Sequence, residues 1–381
     1  MKYIEKLLNG AEVKWMPLGE VAELKRGRVI SKEYLFENVG DYPVYSSQTV
    51  NNGEIGRIKT FDFEQKAITW TTDGANAGTV FYRDGRFSIT NICGLITIKD
   101  TQILSYKYLY YWLSIEAKKH VYSGMGNPKL MSNQMGKVPI PIPPLAVQEE
   151  IVRILDKFTT LEAELEAELD CRKRQYEYYR DELLSKVGFE RVTLRNLLRP
   201  TQNIKWKDNK RVYRYIDLTS VCRETNNILQ TIEITASNAP SRAQKIVYTD
   251  DVIFATTRPT QMRIAIVPEI FNEQVASTGY CVLRVDRELV LPKWLYYNLS
   301  TTRFKGFLEE KQSGSAYPAI SDNELKGYQI PVPHLEEQAR IIAVLDKFET
   351  LTHSISEGLP KEIELRRKQY EYYRNQLLSF A

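Results

Sequence analysis

Asparagine and glutamine carry a donor and an acceptor side by side, arginine a planar fork of donors, serine and threonine a single hydroxyl. Together such groups can read the edges of nucleobases and grip phosphates. The 381-residue chain gathers them into short runs. Ser46, Ser47, Gln48, Thr49, Asn51 and Asn52 form one; Thr71, Thr72, Asp73 and Asn76 a second; Thr90 and Asn91 a third. Further along, Arg214 stands apart. Thr256, Thr257, Arg258, Thr260, Gln261 and Arg263 form a cluster, and Ser315 and Tyr317 share a glycine-led turn. Asn and Gln suit adenine edges, Arg suits guanine, and Ser, Thr and Lys suit phosphates. The same residue types also cap turns by bonding backbone groups. Single positions therefore stay open between the two uses, and it is the clusters that point to recognition.

Catalytic patterns are missing from the sequence. There is no GxxxxGK[ST] phosphate loop and no Asn/Asp-Pro-Pro-aromatic motif of an amino-methyltransferase. Gly124-Met-Gly126 is an isolated GxG and reads as a loop. Asp62-Phe-Glu64-Gln-Lys66 mimics a nuclease Glu-x-Lys pair, but the second half of the chain lacks the equivalent and the converging carboxylates that such a metal site needs. His120, His334 and His353 do not stand at ligand spacing, and Cys93, Cys171, Cys222 and Cys281 form no CxxC pair. No metal site is expected, and the scattered thiols fit a reducing, cytoplasmic compartment. No apolar run approaches the roughly 18–20 residues of a membrane span, and the charged N-terminal stretch does not read as a secretory signal.

Repetition shows what must position the polar runs. Ile140–Leu161 returns as Ile330–Leu351 with 12 of 22 positions identical, and Gln175–Ser185 returns as Gln369–Ser379 with 9 of 11 identical. Each copy follows a longer, dissimilar segment. The chain therefore reads as residues 1–144, a first head; 145–187, a helix; 188–334, a second head; and 335–381, a second helix. Net charge follows the same division: +4, −4, +5 and −1. Basic heads on neutral-to-acidic spacers suit a polyanion contacted by the heads.

Prolines at 139, 141, 143 and 144, and again at 331 and 333, give an extended approach that ends where each helix begins. Ile151, Leu155, Phe158, Leu161, Leu165 and Leu169 then make one apolar stripe, repeated by Ile341, Leu345, Phe348, Leu351 and Ile355. A stripe on a helix about 65 Å long needs a partner, and antiparallel pairing of the two copies is expected. Leu161–Glu168 reads LEAE twice, a unit of roughly one turn, while Gly358-Leu359-Pro360 should break the second helix near 357–360. Tyr3, Leu7, Leu8, Pro17, Leu18 and Val21 echo Tyr179, Leu183, Leu184, Thr193, Leu194 and Leu197, so the repeat is in effect circular. Between the heads only anchors are shared. Ala67–Tyr82 parallels a run ending at Val267, Ser88–Ile96 parallels Ala276–Leu283, and Tyr106–Ser114 parallels Pro292–Ser300, a short helix. Each head is expected to be mixed α/β.

The paired proline-led helix starts (IPIP…Q…ILDKF, IPVP…Q…VLDKF), the QYEYYR…LLS helix ends and TWTTDGANAG together resemble the DNA-specificity subunit of type I restriction–modification enzymes, over essentially the whole chain. The resemblance implies a mixed α/β fold with two target recognition domains, separated by two long helices in an antiparallel coiled coil with pseudo-two-fold order. It implies that each head reads one half of a split, asymmetric site in double-stranded DNA. It also implies that the chain is not itself an enzyme. Two DNA adenine methyltransferase subunits and nuclease/translocase subunits would join it, carrying the S-adenosylmethionine, ATP and Mg chemistry, with no cofactor in this chain and no membrane contact. The competing reading is a coiled-coil scaffold whose heads bind protein or glycan; steep weakening of binding by salt separates the two.

Overall fold

The computed structural model describes residues 3–123, 126–185, 188–223, 225–354 and 356–380; Gly124, Met125 and Ile355, singled out above, lie outside them. The chain forms two compact units, Met1–Glu162 with Arg366–Ala381, and Ala163–Leu365. The divisions fall inside the helices rather than at the borders of the heads. Each helical stretch is assigned to the head it packs on, so the four-segment reading gives way to two units.

In the first unit a four-stranded antiparallel sheet runs Ala22–Arg26, Cys93–Ile98, Ala67–Thr71, Val80–Arg83. The run Ala67–Thr71 is buried throughout because both of its faces are covered. Ile68, Trp70 and Ile96 pack on Tyr108, Leu109 and Trp112 of the helix Tyr106–Glu116. Ala67, Cys93 and Leu95 pack on Phe87 and Ile89 of a second sheet. That sheet runs Glu54–Ile58, Val39–Tyr45, Arg86–Ile89, Phe63–Glu64, and its central pair is parallel.

The second unit repeats the plan. A sheet of Ile264–Ile266, Val252–Ala255 and Tyr280–Leu283 lies between helices Pro292–Asn298 and Thr302–Lys311 on one face and a second sheet on the other. In that second sheet Tyr213–Ile216 and Gln274–Ser277 are the parallel pair.

The ladders correct one detail of the sequence alignment. Cys93 lies opposite Thr71, whereas Cys281 lies opposite Phe254, the counterpart of Trp70. The two cysteines are therefore one step out of register and face opposite sides of their sheets. The residue opposite Trp70 is Gly94, where a Cβ would stand 2.2 Å from the indole ring. A glycine is required there by close approach.

In each unit the repeated LDKF sequence is a joint. Asp156 accepts from Lys107 and from the Tyr111 hydroxyl, at 2.7 Å for the tyrosine. Asp346 accepts from Lys293 at 2.6 Å and from Tyr297 at 2.5 Å. A few residues earlier, Tyr108 donates to the Pro141 carbonyl at 2.8 Å and Trp294 to the Pro331 carbonyl at 2.8 Å. Different side chains thus make the same bond at the same place, and the proline-led approach strand is pinned in both units.

The helices are Leu145–Leu184, Leu335–His353 and Gly358–Leu377. Pairing is antiparallel within each unit. Phe158 meets Tyr373 at 5.3 Å and Tyr370 at 6.4 Å, with Glu162 paired to Arg367 beyond them. Tyr176 meets His353 at 5.5 Å and Tyr179 meets Phe348 at 6.1 Å. Ile151, Leu155, Ile341 and Leu345 are buried as expected, and Leu161, Leu165 and Leu169 are half-buried. Leu351 is not part of the seam: it is 36% exposed, and Thr352 is buried in its stead, its hydroxyl donating to the Phe348 carbonyl. The seam thus runs through 341, 345, 348 and 352, and the helix stops at His353. Gly358 restarts it with φ +74°, a conformation open to glycine. In the first unit Ile4 shares a buried cluster with Leu377 and Leu378, which is the circular closure read from the repeat.

Candidate nucleic-acid interface

In the first head the polar runs occupy loops at one end of the two sheets. The loop after Val39–Tyr45 turns back through Asn51, Asn52 and Gly53, all with left-handed φ of 51°, 52° and 79°. Asparagine and glycine tolerate that region where most residues do not. Ser46 N–H donates to the Gly53 carbonyl at 3.0 Å and closes the loop. The Thr90 hydroxyl bonds the Ser46 hydroxyl at 2.9 Å, and the Asn76 amide donates to Thr49 at 3.2 Å. Lys129 reaches Asp73 at 3.6 Å. The structure thus joins the three runs of the first head and adds a fourth loop beyond Tyr122.

Their side chains divide into two groups. Gln48, Asn51, Asn52, Asn76 and Asn91 are exposed, and Ser47, Thr49 and Asp73 are half-buried. Ser46, Thr71, Thr72 and Thr90 are buried. Thr71 bonds the Asn76 carbonyl, and Thr72 bonds the Ile92 carbonyl at 2.9 Å. These four hold the loops in place and offer little surface to a ligand, contrary to their grouping with the reading side chains.

In the second head the Thr256 N–H and hydroxyl both bond the Gly279 carbonyl, at 2.8 and 3.0 Å, and Thr256 is buried. Arg258 has φ 49° and its N–H donates to Pro318 at 2.7 Å, which fastens this loop to the turn containing Ser315 and Tyr317. The Arg258 guanidinium is exposed and lies 5.5 Å from the Tyr317 ring centre; Tyr317 itself is 73% exposed. Gln261 and Ser315 are exposed, Thr257 and Thr260 half-buried. Arg214 lies on the strand Tyr213–Ile216 with its guanidinium 5.9 Å from the Phe271 ring. Arg263 turns inward and donates to the backbone carbonyls of Leu218 and, at 3.3 Å, Val221. It is bound up in the scaffold rather than presented with Arg258.

Sequence reasoning missed two features. Arg83 is 3% exposed and lies behind the Ser46–Asn52 loop; only its burial reveals it. The Tyr122–Lys129 bridge matches the Ser313–Ala319 bridge, and Asp73–Lys129 matches Thr257–Ala319. The signal was present as Ser-Gly-x-x-x-Pro at 123–128 and again at 313–318. It was hidden by reading Gly124-Met-Gly126 alone.

Burial pushes the Cys93 thiol up to about 12, against the opposing pull of Arg83 and Thr69. Burial also lowers the Arg83 guanidinium below its ordinary value. Among the described residues no group of three or more His, Cys, Asp or Glu is placed to hold a metal ion. What the loops can do is donate and accept hydrogen bonds over an exposed polar surface.

Residues 11–170 and 189–365 match the type I restriction modification DNA specificity domain, one match in each half of the chain. The chain belongs to this family. It is 33% identical to the specificity subunit of the type I restriction enzyme EcoR124I/EcoR124II of Escherichia coli, over 100% of this chain and 97% of that protein. It is 30% identical to a putative type I specificity subunit of Mycoplasma pneumoniae, over 97% and 98% of the two chains. The type I restriction–modification S subunit of M. genitalium shares the fold, with a TM-score of 0.59 at 15% identity over 98% of both chains. As a specificity subunit the chain serves DNA recognition and is non-catalytic. Among the described residues no helix is long and apolar enough to cross a membrane.

Proposed function

We propose that each head of this specificity subunit reads one half of a bipartite, asymmetric site in double-stranded DNA. The first head reads through Gln48, Asn51, Asn52, Asn76 and Asn91, the second through Arg258, Gln261, Ser315 and Tyr317. One observation carries this reading. The heads keep the same scaffold bonds but present unlike exposed side chains from matching loops. Gly74 stands where the second head exposes Arg258, each donating its N–H to the matching proline carbonyl, and Asn127 stands where it has Tyr317. Two-fold proteins read palindromes when both heads are alike, so unlike heads select two unlike half-sites.

The paired helices dock two adenine methyltransferase subunits, and nuclease/translocase subunits join that core. S-adenosylmethionine, ATP and Mg belong to those partners, and the assembly works in the cytoplasm. Charge supports this division: each head carries only a small positive excess, so few phosphates can be neutralised by the chain alone.

The test is to assemble the chain with its methyltransferase subunits, modify a random DNA library and sequence the modified adenines. Two different half-sites at a fixed gap are expected. One half-site recovered in inverted copies on both sides would reject the proposal.

A further inference from the structure

Each head has an arginine turned inward that donates at least one hydrogen bond to the loop following the first strand of its parallel pair. In the first head this is Arg83, at the end of the strand Val80–Arg83. Its Nε donates to the Thr69 hydroxyl at 3.0 Å and its Nη2 to the Asn52 carbonyl at 2.8 Å. The guanidinium carbon lies 3.5 Å from the Tyr45 ring centre and 4.7 Å from that of Phe81. One side chain thus ties the floor strand (Thr69), the strand leading into the loop (Tyr45) and the left-handed turn that leaves it (Asn52). In the second head Arg263 holds Leu218 and Val221, in the loop after Tyr213–Ile216.

The two arginines are not equivalent positions. The ladders place Arg83 opposite Ala67, and Val267 bonds the Asp251 carbonyl at the matching rung. At the other end of the strand the Ala255 N–H bonds the Arg263 carbonyl just as Thr71 N–H bonds that of Thr79. Val267 therefore occupies the place of Arg83, and Thr79 that of Arg263. The heads reach one arrangement from opposite ends of the same strand.

Stability alone is a poor reason for it. Removing a guanidinium from water is expensive, and well-packed apolar residues often replace buried charges without loss. Arg83 also leaves its Nη1 buried without a hydrogen-bond partner. What a planar fork supplies, and an apolar side chain does not, is fixed direction toward two acceptors at once.

We infer that Arg83 and Arg263 are positioning residues for DNA specificity that do not touch DNA: Arg83 fixes the reading loop Ser46–Asn52 from behind, and Arg263 fixes the counterpart loop of the second head, Leu218–Val221, which thereby joins the reading surface. The inference rests on the proposed reading of DNA by these loops and goes beyond it. The side chains that choose the bases and the side chain that sets their geometry are then different residues. A change at Arg83 alters which first half-sites are accepted although no base contact is removed.

The experiment uses the full chain assembled with its methyltransferase subunits, a DNA library randomised in both half-sites, and sequencing of the modified adenines. Five variants are compared: Arg83→Met, Arg83→Lys, Arg263→Met, and the loop-tip changes Gln48→Ala and Asn51→Ala. Thermal unfolding is followed for each. Arg83→Met is expected to relax discrimination in one half-site tenfold or more, with the other half-site read as in the parent. Arg263→Met does the reverse. Lysine keeps the charge but lacks the planar fork that holds Thr69 and Asn52 in fixed directions, so Arg83→Lys relaxes the same half-site. It also carries the test if the methionine variant does not fold. Loss of folded protein lowers modification at every site in proportion, whereas a misplaced loop changes the sequences chosen. Unchanged sequence choice in folded Arg83 variants, with the loop-tip variants altered, overturns the inference and leaves the proposed function standing. Unchanged choice in the loop-tip variants overturns the reading on which it rests.

Discussion

Gln148 and Gln338, 190 positions apart, are both fully buried and make the same three hydrogen bonds. Gln148 donates to the Ile103 and Pro143 carbonyls at 2.8 and 2.9 Å and accepts from Ser105 N–H at 2.9 Å. Gln338 donates to Leu289 and Pro333 at 3.1 and 2.8 Å and accepts from Leu291 N–H at 2.9 Å. Each glutamine therefore fastens its own head to the start of its own helix, and the Pro143 and Pro333 carbonyls would otherwise be buried unpaired.

Replacing either glutamine by leucine leaves two carbonyls and one N–H without a partner. Each such group costs about 1–3 kcal/mol. Gln148→Leu should lower the stability of the first unit by about 3 kcal/mol on that basis, and Gln338→Leu that of the second. Amide hydrogen exchange resolved by unit checks this. Equal loss of protection in both units from one substitution contradicts it.

Arg258→Ala removes an exposed fork from the second head. A bidentate arginine–guanine contact is worth about 1–3 kcal/mol, so binding to the cognate site should fall by roughly 5- to 150-fold and one half-site should lose discrimination. Competition binding by the assembled complex measures both. A change in the half-site read by the first head rejects the assignment.

Burial, together with Lys173 and Arg180, holds His353 below its ordinary value, with Glu177 opposing them. The unfolded chain then takes up the proton first as pH falls. Stability of the second unit should decline from about pH 6.5 downward through the lowered folded value, and level off below it. Thermal unfolding between pH 7.5 and pH 4.5 is compared with that of His353→Gln. The variant should lose this part of the slope; an identical slope refutes the assignment.

Deleting Leu165–Glu168 removes one LEAE unit from the helix Leu145–Leu184. At 1.5 Å per residue this is about 6 Å, or roughly two base pairs of duplex. The half-sites should be retained with a gap one or two pairs shorter. Mapping modified adenines for parent and deletion decides it, and an unchanged gap at full activity rejects a ruler role for this helix.

The repeat made most of the fold legible. Periodicity located Ile151, Leu155, Ile341 and Leu345, and the helix does break, but between His353 and Gly358, just before the position expected, with Leu359 and Pro360 already inside the next helix. Leu351 was misplaced because the seam keeps steps of four, three and four through 341, 345, 348 and 352, which puts Thr352 on the buried face and Leu351 beside it. At the candidate site the clusters were legible, but the division of labour within them was not. A threonine that bonds a backbone carbonyl, as Thr72 and Thr256 do, has the same letter as one that meets solvent. Arg263 and Arg258 stand five residues apart in one run, yet one turns inward and the other outward. Arg83 sits in an ordinary strand, and its role depends on Tyr45, Thr69 and Asn52, which only tertiary structure brings together.

Arg366–Ala381 completes the first unit, although all of Ala163–Leu365 separates it from Glu162. During synthesis the second unit can therefore close around its own core while the first still lacks Leu377 and Leu378. Ile4 is thus finished only by residues made hundreds of positions later, and the contacts that finish it join Ile4 to Leu377 and Leu378. Such long-range closure is slow and leaves apolar surface uncovered in the meantime. A ribosome that stops just after residue 365 would release a finished second head attached to an unfinished first one.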